Sequence, residues 1–419
     1  MPSAYNDTLY RQYKNKLTQL IKTAEKNHYA NVIEKSKNNL QKMWSILKSI
    51  INRNKKKSIQ SKFRLNNGTV ITDGLQISEK FNDFFTGIGP SLAKKIPEQT
   101  VSPDQYLGDR LLNSIYLSPV TENEIYKIVQ SLKNSAPGHD EISPQTLKSS
   151  VNYILSPLTH ICNLSLQQGI FPNEMKIANV LPLYKADDPM AFNNYRPVSI
   201  LCCISKVFEK MMYSRLLDFL NTYKILVEYQ FGFRKQHSTY MALLALMDEL
   251  TKALENKDYV VGIFLDFSKA FDTVNHIILL HKLYHYGVRG SALLWFESYL
   301  SGRKQYVTYN GVASTVKTIE CGVPQGSILG PLLFLIYIND LAKVSKNLMS
   351  ILFADDTNMF NKGKNPMEIQ TTINTELEHV SLWLKVNKLS LNIKKTHFMV
   401  FSNKPTYNLN LDIRIDGHR

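Results

Sequence analysis

The sequence predicts an α+β fold with an antiparallel sheet, and three stretches carry that prediction. Tyr259 to Leu265 is a nearly continuous apolar run ended by Asp266, the pattern of a strand buried on both faces. Ser350 to Ala354 and Thr357 to Phe360 read as strand, turn, strand, with Asp355 and Asp356 at the bend. A helix over Met367 to Val386 and a strand over Thr396 to Phe401 follow. The order strand, helix, hairpin, helix, strand suggests a split βαβ-type sheet with helices on one face.

The other elements follow in chain order. Residues from about Tyr5 to Ile51 lack Pro and Gly. Apolar residues recur there at helical intervals, as in Leu17, Leu20, Ile21 and Ala24, then Leu40, Met43, Trp44 and Leu47. Two long basic helices are expected, ending near Asn52-Arg53-Asn54-Lys55-Lys56-Lys57, which reads as a solvated linker or a nuclear-localisation patch. Asn67-Gly68 between apolar flanks predicts a small hairpin over Phe63 to Ile71, and Asp73 opens a helix over Leu75 to Phe85. Pro97, Pro103 and Gly108 make Ile96 to Leu112 a linker. Thr121 and Glu124 stand at capping-box spacing before a helix running to about Leu132. Ile142 to Gly169 reads as more helix, broken near Pro157. Ala178 to Tyr184 and Tyr195 to Leu201 are short strands whose hairpin, with Asp187-Asp188-Pro189 in its loop, presents Lys185 and Arg196. A long helix spans Ile204 to Leu220, and Gly302 to Tyr309 with Val316 to Ile319 alternate like a hairpin. Gly322-Val323-Pro324-Gln325-Gly326-Ser327 is a loop entering an apolar helix from about Gly330 to Leu341.

Composition bounds the function. The 419 residues suggest two to three folded units, and a hydrophobic fraction of 44% is ample for a core. The net charge is +15, and Met1 to Arg64 alone holds 15 Lys plus Arg against 3 Asp plus Glu. The basicity therefore belongs to an N-terminal arm, a solubilising face or a surface that tracks phosphates. Cys162, Cys202, Cys203 and Cys321 make no C-x-x-C pair, and Pro2 to Arg11 has no apolar core of a signal peptide. A soluble, intracellular protein, nuclear or cytoplasmic and not secreted, is expected. The longest apolar stretch, Leu332 to Ile338, is far short of the ~20 residues that span a bilayer.

An aspartate pair at a bend is often only a turn former, because Asp bonds its own backbone. Asp266, however, ends a second buried strand. If the strands are neighbours, three carboxylates converge at one sheet edge, and such a cluster needs a cation. All-oxygen donors favour Mg²⁺ over Zn²⁺. Two Mg²⁺ ions suit in-line attack on a phosphate. Asp140, Asp272 and the pair Asp187-Asp188 show how frequent turn aspartates are in this chain. His281 and His285 have the i, i+4 spacing of zinc ligands, but Lys282 stands where the H-E-x-x-H pattern needs Glu, so they read as ordinary histidines. Met211-Met212 and Trp295-Phe296 read as core.

Val261 to Asp272 (VGIFLDFSKAFD), Gly322 to Pro331 (GVPQGSILGP) and Phe353 to Asp356 (FADD) occur in order. Together they resemble the palm motifs of a reverse transcriptase of the non-LTR, jockey-like retrotransposon type. Ala136 to Ile142 is similar to the Pro-Gly-x-Asp motif before the fingers, and Lys185 with Tyr195 to Ser199 resembles the fingers hairpin. Gln230 to Arg234 and His237 to Thr239 look like the Gly-Phe-Arg segment, and Leu391 to Thr396 like the motif after the catalytic hairpin. Ile77 to Phe85 is similar to the helical region preceding this polymerase.

The resemblance implies a right-hand architecture with fingers and a ferredoxin-like palm, and RNA-directed DNA synthesis by two Mg²⁺ ions, with Mn²⁺ as a substitute. RNA template, DNA primer or target and dNTPs would be its partners, the RNA being the element's own. Asp266 and Asp355 would ligate both metals with the Phe267 carbonyl, and Asp356 would complete the catalytic set. Phe271 matches an aromatic steric gate, and Gln325 and Gly326 match the loop against the incoming nucleotide. Lys185 and Arg196 would grip the triphosphate, Lys395 would serve the leaving pyrophosphate, and Arg234 would touch template backbone.

The expected domains are a basic, mostly helical N-terminal extension over 1–95, a linker over 96–117, a helical region over 118–175 before the fingers, and fingers and palm over 176–419. The chain ends at Arg419, about where the strand pair gripping the primer is expected to begin, so the thumb is expected to lie outside it, as is the family's endonuclease ahead of Met1. An inactive truncated remnant that only binds RNA or DNA is the alternative. An intron-encoded maturase is the third reading, and FADD with the jockey-like N-terminal region speaks against it.

Overall fold

A computed structural model describes residues 4–37, 39–51, 60–65, 67–404 and 409–419. The chain divides into two compact units, 1–60 and 61–419. Helices α1 (Ala4–Glu34) and α2 (Leu40–Ile51) form the first unit, as their periodicity predicted. Tyr10, Tyr13, Leu17, Leu20, Ile21 and Trp44 stand exposed on them. The basic run 52–57 lies outside the described residues.

The unit break falls inside the stretch 1–95 expected as one extension, because residues 61–95 bury their apolar faces in the second unit. Strands β1 (Phe63–Arg64) and β2 (Val70–Ile71) pair as the expected hairpin. Helix α3 (Gly74–Lys95) starts where Asp73 accepts the Gln76 amide at 2.8 Å, and it continues past Phe85 through Pro90. Helices α4 (Glu122–Gln130) and α5 (Pro144–Gln168) follow. Thr121 caps α4 through the Glu124 amide, but the Glu124 carboxylate turns away and pairs with Arg215 at 2.8 Å. The predicted break at Pro157 is absent: α5 runs through it, buried along Leu147, Val151, Leu158, Cys162 and Leu166. Packing of that face outweighs the hydrogen bond that a proline removes.

A mixed sheet comes next. Strands β3 (Ile177–Tyr184) and β4 (Tyr195–Ile200) are antiparallel, with Leu183 opposite Arg196. Helices α6 (Cys203–Thr222) and α7 (Thr239–Glu255), strand β5 (Tyr259–Leu265), and helices α8 (His276–His285) and α9 (Ser291–Leu300) intervene. The chain then returns as β6 (Lys304–Tyr309), parallel to β3, with the short strands β7 (Val312–Ala313) and β8 (Lys317–Thr318) on it. Phe63 and Phe81 pack under this sheet against Tyr195 and Tyr309, with ring centroids 5.0–5.5 Å apart.

Helix α10 (Leu329–Ile338), hairpin β9 (Met349–Phe353) and β10 (Asp356–Gly363), helix α11 (Pro366–Val386) and strand β11 (His397–Phe401) complete the chain. The second sheet has the order β11-β5-β10-β9 and is antiparallel throughout. Its helices were expected on one face, but α7 covers the other. Val261, Ile263, Leu265 and Met359 belong to the main core, whereas Val260, Ile351 and Phe360 pack with Ala242, Leu250 and Ala253 of α7. A central strand apolar at every position needs cover on both sides. Lys282 is fully buried and pairs with Asp340, which also accepts the Trp383 indole at 2.7 Å. That network explains a lysine between His281 and His285. Among the described residues no helix is long and apolar enough to cross a membrane.

Candidate active site

Strand register brings the three aspartates to one sheet edge. Leu265, the last residue of β5, pairs with Thr357 of β10, so the next step outward sets Asp266 beside Asp356. On the other side Phe353 pairs with Asp356, leaving Ala354 and Asp355 as a two-residue turn. The left-handed position of that turn falls on Ala354, at φ 57°.

A buried glutamine holds the turn. Gln230 Oε1 accepts from the Ala354 amide at 3.0 Å and from the Gly232 amide at 2.8 Å. Its Nε2 donates to the Ala354 carbonyl at 3.5 Å. The backbone beside it is stitched to β9, with Phe231 N on Leu352 O at 2.8 Å and Leu352 N on Tyr229 O at 2.9 Å. Position 232 must be glycine, since a Cβ there would lie 2.1 Å from the Ala354 nitrogen. Asp266 is held from the opposite flank, where Asn392 Nδ2 donates to its Oδ2 at 2.9 Å and the Asn392 amide to its carbonyl at 2.8 Å.

Partial desolvation of an otherwise exposed side chain, then the neighbouring Asp355 and Asp266 carboxylates, push the Asp356 carboxyl above the usual carboxylate range, and Lys185 partly offsets them. The three side chains share one electrostatic field. Among the described residues no group of three or more His, Cys, Asp or Glu side chains is arranged as a set of metal ligands. The donors at the edge are hard oxygens under mutual repulsion, a chemistry that fits a divalent cation.

Cations gather beside this edge. Lys185 and Arg196 are exposed on the β3–β4 hairpin, whose neck is closed by Lys185 N on Asn194 O at 2.9 Å. Lys269, with left-handed backbone at φ 53°, donates from Nζ to the carbonyls of Asn193 and Tyr195, each at 3.2 Å. Burial lowers its pKa below the usual lysine range; Asp272 opposes the shift, and Lys185, Arg196 and Lys395 add to it. Three cations therefore act on Lys269 at this surface.

The loop 322–327 closes the third side. Gly322 N donates to Val274 O and Val323 N to Phe271 O, both at 2.8 Å, and the Ser199 amide of β4 donates to Gln325 O at 2.7 Å. Gly326 lies at φ 128°, and a Cβ on it would come within 2.4 Å of the Ser199 carbonyl. Gln325 Nε2 donates to Asp272 Oδ1 at 2.8 Å. Behind the loop, the fully buried Glu209 accepts the amides of Ile328 and Leu329, where α10 begins.

The Phe271 ring stacks on Phe334 at 4.5 Å and meets Phe233 edge-on at 6.1 Å. Phe267 is buried and bridges to Leu391. Lys395 is exposed in a 3-10 turn. Arg234 points inward: Nη1 donates to Val227 O at 2.8 Å and Gln230 O at 3.2 Å, and burial lowers its pKa. Gln230, Lys269, Asp272 and Glu209 carry roles that sequence reasoning missed. Each has a partner at least 53 residues away in the chain, and such a partner leaves no periodic signal.

Comparison with known proteins agrees with this geometry. Residues 184–410 match the family described as "Reverse transcriptase (RNA-dependent DNA polymerase)". The chain is 31% identical over 323 residues to the "RNA-directed DNA polymerase from mobile element jockey" of Drosophila melanogaster, covering 75% of this chain and 34% of that protein. It is 32% identical over 294 residues to the jockey protein of Drosophila funebris, covering 68% and 32%. It is 30% identical over 319 residues to the "Probable RNA-directed DNA polymerase from transposon X-element" of Drosophila melanogaster, covering 73% and 34%. The chain thus spans about a third of the length of these curated relatives. With more than half of its residues matched, the chain belongs to the reverse transcriptase family, whose domain implies a palm-and-fingers polymerase fold, and the mixed helices and sheets agree with it.

Proposed function

We propose that the chain is an RNA-directed DNA polymerase that joins dNTPs to a DNA 3′-hydroxyl along an RNA template, the RNA of its own non-LTR element. The observation that carries this reading is the strand register that sets Asp266 beside Asp356 at the end of the sheet, within reach of the field of Lys185 on the β3–β4 hairpin. An acidic edge facing a cationic hairpin suits a polyphosphate substrate that arrives with divalent cations. Two Mg²⁺ ions, or Mn²⁺ in their place, held by Asp266, Asp355 and the Phe267 carbonyl with Asp356 alongside, would activate the primer hydroxyl and neutralise the leaving pyrophosphate.

The chain's own residues do the rest. Lys185 offers the triphosphate a point charge and Arg196 a bidentate fork. Phe271, backed by Phe334, limits the space beside the sugar and so disfavours a ribose 2′-hydroxyl. Gln325 and Gly326 line the nucleotide, Lys395 gives a proton to pyrophosphate, and Arg234 supports the template side. The fingers and palm occupy 176–419, preceded by helices over 118–175.

The test is extension of a DNA primer on an RNA template by the full chain. Mg²⁺-dependent extension that stops with EDTA and with Asp356→Ala is expected. Extension unchanged by Asp356→Ala, or none at any Mg²⁺ or Mn²⁺ concentration, overturns the reading. RNA binding without extension, with a steep salt slope that persists without Mg²⁺, would leave nucleic-acid binding as the function.

A further inference from the structure

Asp272 has no role in the reading above. Its carboxylate lies against the loop 322–327, where Oδ1 accepts from Gln325 Nε2 at 2.8 Å. The Gln325 main chain is tied to β4, its backbone carbonyl accepting from Ser199 N at 2.7 Å, so the side chain starts from a fixed point. The charged and titratable groups facing Asp272 are Lys269 on its own turn and the Cys321 thiol on the loop.

Donor and acceptor chemistry then decides the orientation of the amide. An ionised carboxylate only accepts, and a glutamine amide donates from nitrogen and accepts at oxygen. Gln325 must therefore turn Nε2 toward Asp272 and Oε1 away from it. Among the described residues Oε1 accepts no hydrogen bond. We propose that Asp272 is a positioning residue that fixes Gln325 with its amide oxygen outward, so that the loop offers a bound nucleotide an acceptor and selects a donor group on it. The nucleotide in this statement rests on the polymerase reading; the orientation of the amide does not. Burial raises the Asp272 carboxyl to about 6, so it is acceptor-only above that pH and becomes able to donate below it. Asparagine at 272 would both donate and accept, and the amide of Gln325 would lose its fixed sense.

Two measurements on the full chain test the proposal. In NMR spectra, the side-chain amide of Gln325, assigned by its loss in Gln325→Met, should titrate with a midpoint of about 6 and become flat in Asp272→Asn. In primer extension, Asp272→Asn and Gln325→Met should each raise KM for dNTPs about tenfold with little change in kcat, the scale of one hydrogen bond. The double variant should be no worse than Gln325→Met alone, because Asp272 acts only through Gln325. A Gln325 amide indifferent to residue 272, or additive losses in the double variant, overturns the proposal while leaving polymerase activity intact. If the unsubstituted chain extends no primer, the functional reading falls, and the NMR titration still decides whether Asp272 fixes Gln325.

Discussion

Two hairpins of this chain turn on the same dipeptide, with opposite outcomes. Asp187-Asp188 lies between β3 and β4, and Asp355-Asp356 sits where the turn after β9 enters β10. At the first, Asp187 itself takes the left-handed backbone at φ 70°. Asp188 Oδ1 accepts from Met190 N at 3.0 Å, and its Oδ2 pairs with Arg64 at 3.2 Å. That pair builds its own turn. At the second, Ala354 takes the left-handed position and Gln230 holds it, so the aspartates have no turn to make. Among the described residues neither Asp355 nor Asp356 makes a side-chain hydrogen bond, and the Asp355 and Asp266 carboxylates both act on Asp356. What an acidic pair does is settled by which residue supports the bend.

The strongest way to break this comparison is to neutralise each pair. Asp355→Ala should lower primer extension by at least about a thousandfold, since cation-held charge stabilisation is worth several kcal/mol. Asp187→Ala should leave extension within about threefold. Equal losses would show that the two hairpins do not differ in kind.

A second test removes the support. Gln230→Ala leaves the buried amides of Ala354 and Gly232 without their acceptor, so urea denaturation should report a loss of about 2 kcal/mol. Extension should fall with it. Asp188→Ala, which removes an exposed ion pair and one turn bond, should cost about 1 kcal/mol or less.

The third and smallest effect has the opposite sign. Because the Asp356 carboxyl is raised in the folded protein, its contribution to stability is present at low pH and is lost as pH rises through its folded value. Asp356→Asn should therefore stabilise the protein at pH 7 by less than about 1 kcal/mol, the exposed position screening the repulsion. The gain should vanish below about pH 4, where both states are protonated. Thermal melting that showed destabilisation at pH 7 would contradict a repulsive edge. Asp188→Asn offers no such gain.

Sequence pattern reached what is local or periodic. The apolar run of β5, the caps at Asp73 and Thr121, and the FADD turn are all visible within a few residues of chain. It also placed Lys185 and Arg196 on one hairpin. Contacts between distant residues were not legible. Gln230 reaches 124 residues to Ala354, and Lys282 finds Asp340 inside the core, with nothing in either neighbourhood to announce it. Pro157 misled because the rule for proline is local while the packing of α5 is not. Helix α7 went unread, although Ser238 caps it through the Met241 amide at 3.3 Å. Its exposed Tyr240, Leu243, Leu244 and Met247 blur the amphipathic pattern.

The central claim is that one acidic pair completes a cation-holding polymerase edge and the other does not. Mn²⁺ binding, followed by electron paramagnetic resonance in the presence of dNTP, tests it without requiring turnover. The unsubstituted chain and an Asp187→Asn/Asp188→Asn variant should bind Mn²⁺ alike, and an Asp355→Asn/Asp356→Asn variant should lose that binding. Undiminished Mn²⁺ binding by the Asp355→Asn/Asp356→Asn variant would contradict the account.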